Sequence, residues 1–163
     1  MNRSEFSLRS FASIALLFTV GLAFLALPFF KPVEVPFLFL FLVRLHPLIL
    51  HFPIVLIILA LLFELGGRYF KFNTGETTIM VLLIAAAISA LVSVVAGYLL
   101  FASGDYSGAL MDGHFWAGVM TAAGIFFSLG FFLIYRKAPR VYPFYLGGLV
   151  ASNLGVAYAG HLG

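Results

Sequence analysis

Apolar residues run through this chain in long blocks, and the breaks between them fall at prolines, glycines and charges. A membrane-spanning helix needs roughly 20 consecutive apolar residues. Blocks of that length occupy 8–30, 47–69, 77–102, 113–135 and 142–161. The pattern predicts an all-α integral membrane bundle of five transmembrane helices within one domain, 1–163. The first block follows Arg3 and carries Arg9, so it also has the basic start of a secretory signal. Its apolar run is longer than the usual stretch of about 7–15 residues and no A-x-A-like site follows, which favours a retained helix.

The stretch 31–46 breaks the pattern. In KPVEVP, Pro32 and Pro36 block helix continuation and predict a turn or extended segment. PFLFLFLVRL is apolar but too short to cross, and reads as an interfacial or re-entrant piece whose Arg44 reaches back to water. Between the third and fourth blocks, SGDYSGALMDG has the composition of a turn.

Charge sets an orientation. With the N-terminus inside, the inner side holds Arg3, Arg9, Arg68, Lys71, Arg136, Lys137 and Arg140, and the outer side only Lys31 and Arg44. Cytoplasmic loops of membrane proteins carry the excess of Lys and Arg, so the expectation is N-terminus inside, C-terminus outside, in a bacterial inner (cytoplasmic) membrane. The net charge of +3 is absorbed by this asymmetry and argues for no nucleic-acid partner. Composition agrees: 63% of residues are hydrophobic and 9% charged, against roughly 25% charged in soluble domains. There is no cysteine, which excludes disulfides, Cys-ligated zinc, iron–sulfur clusters and CxxCH haem.

Within this apolar chain, all four histidines fall at predicted helix ends on the outer side. His46 and His51 sit in LHPLILHFPI at the start of the second block, His114 in DGHFWAG at the start of the fourth, and His161 in AGHLG at the end of the fifth. Imidazole in a bilayer is costly without a partner. A neutral imidazole ligates haem iron, zinc, copper or non-haem iron. A b-type haem needs no cysteine, and two histidines from different helices suffice. Four histidines suit one or two haems, and the Arg44 fork matches a propionate carboxylate. His46 and His51 lie five residues apart and diverge by about 140° on a continuous helix. With Pro47 opening the helix, His51 is the favoured ligand of the two and His46 belongs to the entering loop. The histidines also have structural readings: His114 as a cap near Asp112 and Trp116, His46 as a solvated loop residue and His161 as a residue facing water.

Gly148, Ser152, Gly155 and Ala159 form a stripe of small residues on the fifth block. It admits either a closely packed helix or a flat porphyrin. Asn153 is expected to bond across helices. Asp105 and Asp112, in the outer loop, are turn or capping residues in the first instance and metal ligands in the second. Glu64 lies about 20 Å below His51 at 1.5 Å per residue and is expected to pair with Arg68 at i+4. No phosphate loop, serine elbow or HExxH motif is present.

The motifs LHPLILHFPI, GHFWAG and AGHLG resemble those of a bacterial family of predicted membrane proteins of unknown function, which carry LHP-x3-HFPI at a helix start and a GHLGG-like motif at the last helix end. The resemblance covers roughly Leu45 to Gly163. It implies a redox setting, because that family is often fused to or encoded beside planctomycete-type cytochrome c domains. Its members usually continue past the last motif with GG and a histidine-containing stretch, a place for a further ligand.

The leading expectation is a membrane electron-transfer subunit. It would bind haem b near the outer, periplasmic face through His51, His114 and His161, with His46 as a fourth ligand and Arg44 on a propionate. It would exchange electrons with a cytochrome c or quinol within a larger complex of other membrane subunits. The rival readings are a non-catalytic structural subunit of a respiratory or photosynthetic complex, and a metal-dependent membrane enzyme using the four histidines with Asp105 or Asp112.

Overall fold

The computed structural model describes residues 8–30, 36, 41, 43–71, 73–103 and 108–163, and every regular element among them is helical. Helix α1 is Leu8–Ala26, continued by a 3-10 turn at Leu27–Phe29. A four-residue helical turn, α2, spans His46–Ile49. The long helices α3 (His51–Tyr69), α4 (Glu76–Ala102), α5 (Ala109–Tyr135) and α6 (Tyr142–Leu162) follow. The interfacial reading of PFLFLFLVRL, the KPVEVP turn and Asp105 lie largely or wholly outside the described residues.

Among the described residues, four stretches are long and apolar enough to cross a membrane: Ser10–Phe29, His46–Tyr69, Glu76–Ala102 and Ala109–Tyr135. The chain is therefore a multi-pass membrane protein. Helix α6 is the least apolar long helix, because Gly147, Gly148, Ser152, Asn153 and Gly155 dilute its aliphatic residues. It nevertheless runs the length of α5: Tyr142 at its start meets Tyr135 with ring centroids 5.2 Å apart, and Gly163 just past its end lies on His114.

Helices α3, α4, α5 and α6 pack as neighbours in a closed ring, each antiparallel to the next, and α1 lies outside against α5. In lipid, apolar surface gives no drive for helix association, so small residues and close packing must supply it. The α5–α6 contact shows how. A Cβ on Gly124 would lie 2.7 Å from Ser152 Oγ, a Cβ on Gly148 would lie 2.9 Å from Ser128 Oγ, and Gly155 backs onto Thr121. These three hydroxyls donate to carbonyls of their own helix, Thr121 to Ala117 (2.7 Å), Ser128 to Gly124 (2.7 Å) and Ser152 to Gly148 (2.8 Å). Each glycine thus receives a hydroxyl that has already spent its proton. Most of the small-residue stripe on α6 is a helix contact, and Ala159 borders the cavity at the histidine end. Helix α1 docks by aromatic rings, with Phe18 stacked on Phe127 at 5.4 Å, edge-on to Phe131 at 5.1 Å, and pressed onto Gly130.

The basic end of the ring is tied together by polar contacts. Arg136 Nε donates to Glu76 Oε2 at 3.1 Å, and Lys137 Nζ lies 3.4 Å from Ser10 Oγ. The expected Glu64–Arg68 pair is absent. Glu64 Oε2 accepts from the Tyr145 hydroxyl at 3.0 Å, and the Arg68 guanidinium lies over the Tyr142 ring at 4.1 Å. Tyr145 is fully buried on α6 and reaches Glu64 from inside the ring of helices, so the cross-helix bond displaces the i+4 partner. Asn153 bonds across helices as expected, donating to Ile57 O at 3.3 Å and to Leu149 O at 2.8 Å.

Candidate functional site

The opposite end of the ring is built around a space. All four histidines are found there, at the starts of α2, α3 and α5 and the end of α6. An apolar cavity of about 350 Å³ lies between α2–α3, α4, α5 and α6. That volume is at the small end of the range of roughly 300–1,000 Å³ found for ligand pockets. Two histidines line it, His46 and His114, together with Arg44. The lining extends down α5 to Ile125, 11 residues below His114 and so about 16 Å deeper at 1.5 Å per residue. Gly118 and Gly160 also line it, and a Cβ on either would meet nothing within 4 Å.

His114 is held firmly. Helix α5 begins at Ala109, four residues earlier than the pattern predicted, so His114 lies in its second turn and not at the cap. Asp112 takes the first-turn position, where an acid suits the helix dipole. His114 Nδ1 is 2.9 Å from the Ala159 carbonyl of α6. A carbonyl only accepts, so Nδ1 carries the proton and Nε2 keeps its lone pair. That bond is the usual second contact of a metal-ligating histidine; it fixes the ring and raises its basicity. Gly163 closes on the same ring: a Cβ there would fall 2.6 Å from His114 Cε1.

His46 is held differently. Pro47 and the first turn of α2 carry it, and the turn runs almost directly into α3. The ring rests on α4, where a Cβ on Gly97 would lie 3.0 Å from Cε1 and 3.4 Å from Nε2. Its Nδ1 is buried and has no hydrogen-bond partner. One turn before Gly97, the Ser93 hydroxyl is also buried and unpartnered, on a residue only 6% exposed that lines the same cavity. This is unusual within the protein: Ser89, Thr121, Ser128 and Ser152 all bond back to their own helix. A buried polar group without a partner costs about 1–3 kcal/mol, so these two atoms are costly positions at this end of the ring.

The other expected residues fall elsewhere. His51 is exposed, and its Nδ1 donates to the Pro47 carbonyl one turn back at 2.6 Å. His161 is exposed on α6 and does not line the cavity. The cavity is lined by His46 and not by the favoured His51: α2 and α3 run on almost without a break, and the two histidines fall on different faces. Asp112 is exposed and outside the cavity. Among the described residues, no three His, Asp or Glu side chains converge on one point that could hold a bare metal ion. The geometry therefore brings together two of the four histidines, His46 and His114, with Arg44 at the same cavity. Ser93 and Gly97 were not singled out in the sequence. Their spacing of four, following Ser89 at the same interval, was the available signal for one face of α4.

No family model, curated protein or solved structure matches this chain. Its functional reading rests on the geometry of this cavity and on the histidine motifs.

Proposed function

We propose that the protein is a membrane electron-transfer subunit whose cavity holds one b-type haem between His46 and His114. The observation that carries this reading is the pair of imidazoles from different helices lining one apolar cavity, one of them anchored through Nδ1. When bound, the haem supplies a one-electron couple. The chain's residues do the rest. The Ala159 carbonyl polarises His114 and makes Nε2 a stronger donor. Gly118 and Gly160 leave room for a flat ring. Arg44 brings the cationic fork that pairs with a propionate. The apolar wall excludes water and holds the local dielectric low, which is one of the levers on a haem potential.

Two histidines at one cavity favour one haem over two, with His51 and His161 in roles outside it. The excess of Lys and Arg at the opposite end supports an N-inside orientation in a bacterial cytoplasmic membrane, with α6 as a fifth span and the cavity near the outer face. A haem so placed suits exchange with a periplasmic cytochrome c or with quinol from the outer leaflet, inside a larger membrane complex.

The test is a dithionite-reduced minus air-oxidised absorption spectrum of the detergent-purified protein. The expected result is the sharp α-band of a b-type haem. A flat spectrum from fully helical protein, expressed in haem-replete cells, would sink the reading and leave a structural subunit in its place.

A further inference from the structure

The end of the ring opposite the cavity carries more positive charge than its own acids answer. The described cations there are Arg68 and Lys71 at the close of α3, and Arg136, Lys137 and Arg140 between α5 and α6. The described acids are Glu64 and Glu76. Glu76 is taken by Arg136 at 3.1 Å, and Glu64 Oε2 accepts from Tyr145 at 3.0 Å. Lys137 Nζ lies 3.4 Å from Ser10 Oγ. Among the described residues, Arg68, Lys71 and Arg140 have no carboxylate partner, and all three are exposed.

Topology asks only that cations lie on one side of a membrane, not that one be held in place. Arg68 is held. Its guanidinium lies over the Tyr142 ring, 4.1 Å from the centroid. That contact uses the charge and leaves the five N–H donors of the fork, none of which bonds another described residue. A positioned guanidinium with free donors matches a phosphate, which it binds through two parallel hydrogen bonds. Arg140 stands two residues before Tyr142, in the 3-10 turn that leads into α6, and Lys71 follows Arg68 by three. The contact of Arg68 with Tyr142 therefore brings the cations of α3 to the turn that carries Arg140. Between Arg68 and Lys71, Tyr69 and Phe70 are 67% and 72% exposed. Cations beside exposed rings at a helix end suit the head-group layer of a bilayer, where charge meets phosphate and the rings meet glycerol and the upper acyl chains.

We propose that the seam between α3 and α6 at this end binds the phosphate of an anionic phospholipid, with Arg68 and Arg140 on the phosphate and Lys71 adding charge beside it. Three unanswered cations attract a head group of net negative charge and repel the ammonium of phosphatidylcholine. The exposed rings favour a lipid over a free anion, because inorganic phosphate has no apolar part to set against them. The site is independent of the haem reading, since it lies at the other end of the ring.

The probe is phosphatidylglycerol. The full chain, purified in detergent and stripped of lipid, is titrated with phosphatidylglycerol, phosphatidylcholine or inorganic phosphate, and bound lipid is counted by native mass spectrometry. Phosphatidylglycerol is expected to bind in preference to phosphatidylcholine. A cation near an anionic lipid contributes roughly fivefold in affinity, so Arg140→Gln, which loses no side-chain bond among the described residues, should weaken binding about fivefold. Arg68→Gln should weaken it at least as much, and Arg68→Lys, which keeps the charge without the fork, should fall between Arg68→Gln and the wild type. The double variant Arg136→Gln/Glu76→Gln removes one charge of each sign and should bind as the wild type does. Equal binding of the two lipids, or wild-type affinity in Arg140→Gln, would overturn the proposal. Inorganic phosphate that displaces phosphatidylglycerol at equal concentration would overturn the lipid as occupant. A loss in the double variant as large as that of Arg140→Gln would overturn the seam as the site.

Discussion

The two ends of the helix ring solve the same problem in opposite ways. Each carries polar groups at the edge of an apolar interior. At the basic end they satisfy one another: Tyr145 with Glu64, Arg136 with Glu76, and Arg68 on the face of Tyr142. Three tyrosines and Phe132 fill the space between, and the buried Tyr142 hydroxyl has no hydrogen-bond partner among the described residues. At the histidine end the ring leaves a cavity, and His46 Nδ1 and the Ser93 hydroxyl face burial without a bond. Filled polar clusters hold helices together. The contrast teaches that the basic end is a structural clasp, while the histidine end borders an open cavity, the receptor end of the proposed haem reading.

The largest effect expected of that contrast is on cofactor content. His114→Ala should reduce haem retention by at least the roughly 10–100-fold that outer partners of metal ligands carry, read from the Soret-to-protein absorbance ratio. His51→Ala and His161→Ala, at exposed positions off the cavity, should leave that ratio unchanged. Equal losses from all three substitutions would break the distinction between cavity and surface histidines.

Next comes the packing that shapes the ring. Gly124→Ala would place a methyl 2.7 Å from Ser152 Oγ, which is tied to its own helix and cannot easily swing away. Overpacking of this kind costs about 1–3 kcal/mol, seen as a lower thermal midpoint in detergent. Gly118→Ala has open cavity in front of it and should leave the midpoint of the cofactor-free protein nearly unchanged. If the two glycines behave alike, the α5–α6 contact and the cavity are not the different surfaces described here.

A comparable loss is expected at the clasp. Tyr145→Phe removes the hydroxyl that Glu64 Oε2 accepts from, and hydrogen bonds to charged groups contribute about 1.5–3 kcal/mol. The thermal midpoint should fall while the haem spectrum stays as in the wild type. A spectral change without a stability change would mean the two ends are coupled in a way their separation does not predict. The smallest effect belongs to Ser93→Ala. Its hydroxyl makes no bond, so the cofactor-free protein should be no less stable without it. A loss above about 1 kcal/mol would show that Ser93 has a structural partner after all.

Much of this was legible in the sequence. The apolar blocks gave the long helices to within a few residues, because lipid demands a length that composition reveals directly. The gathering of the histidines at one end followed from antiparallel connectivity. What the sequence could not give was rotation. Whether His46 or His51 faces inward depends on how the Pro47 turn joins α3, a matter of a few backbone angles. The pairing of Glu64 with Arg68 was a sound local expectation, overruled by Tyr145, which is 81 residues away and visible only once α3 and α6 are neighbours. The small-residue stripe on α6 fitted both a helix and a porphyrin. The hydroxyls of Thr121, Ser128 and Ser152 on the facing surfaces decided for the helix. The burial of the Ser93 hydroxyl is a property of the tertiary packing, and no local pattern announces it.

The most direct test of the receptor end is the haem-to-protein ratio of the wild-type chain purified from haem-replete cells. One haem per chain is predicted, since the cavity offers two imidazoles and no more among the described residues. A ratio of zero would contradict the account by showing that His46 and His114 do not hold this cofactor.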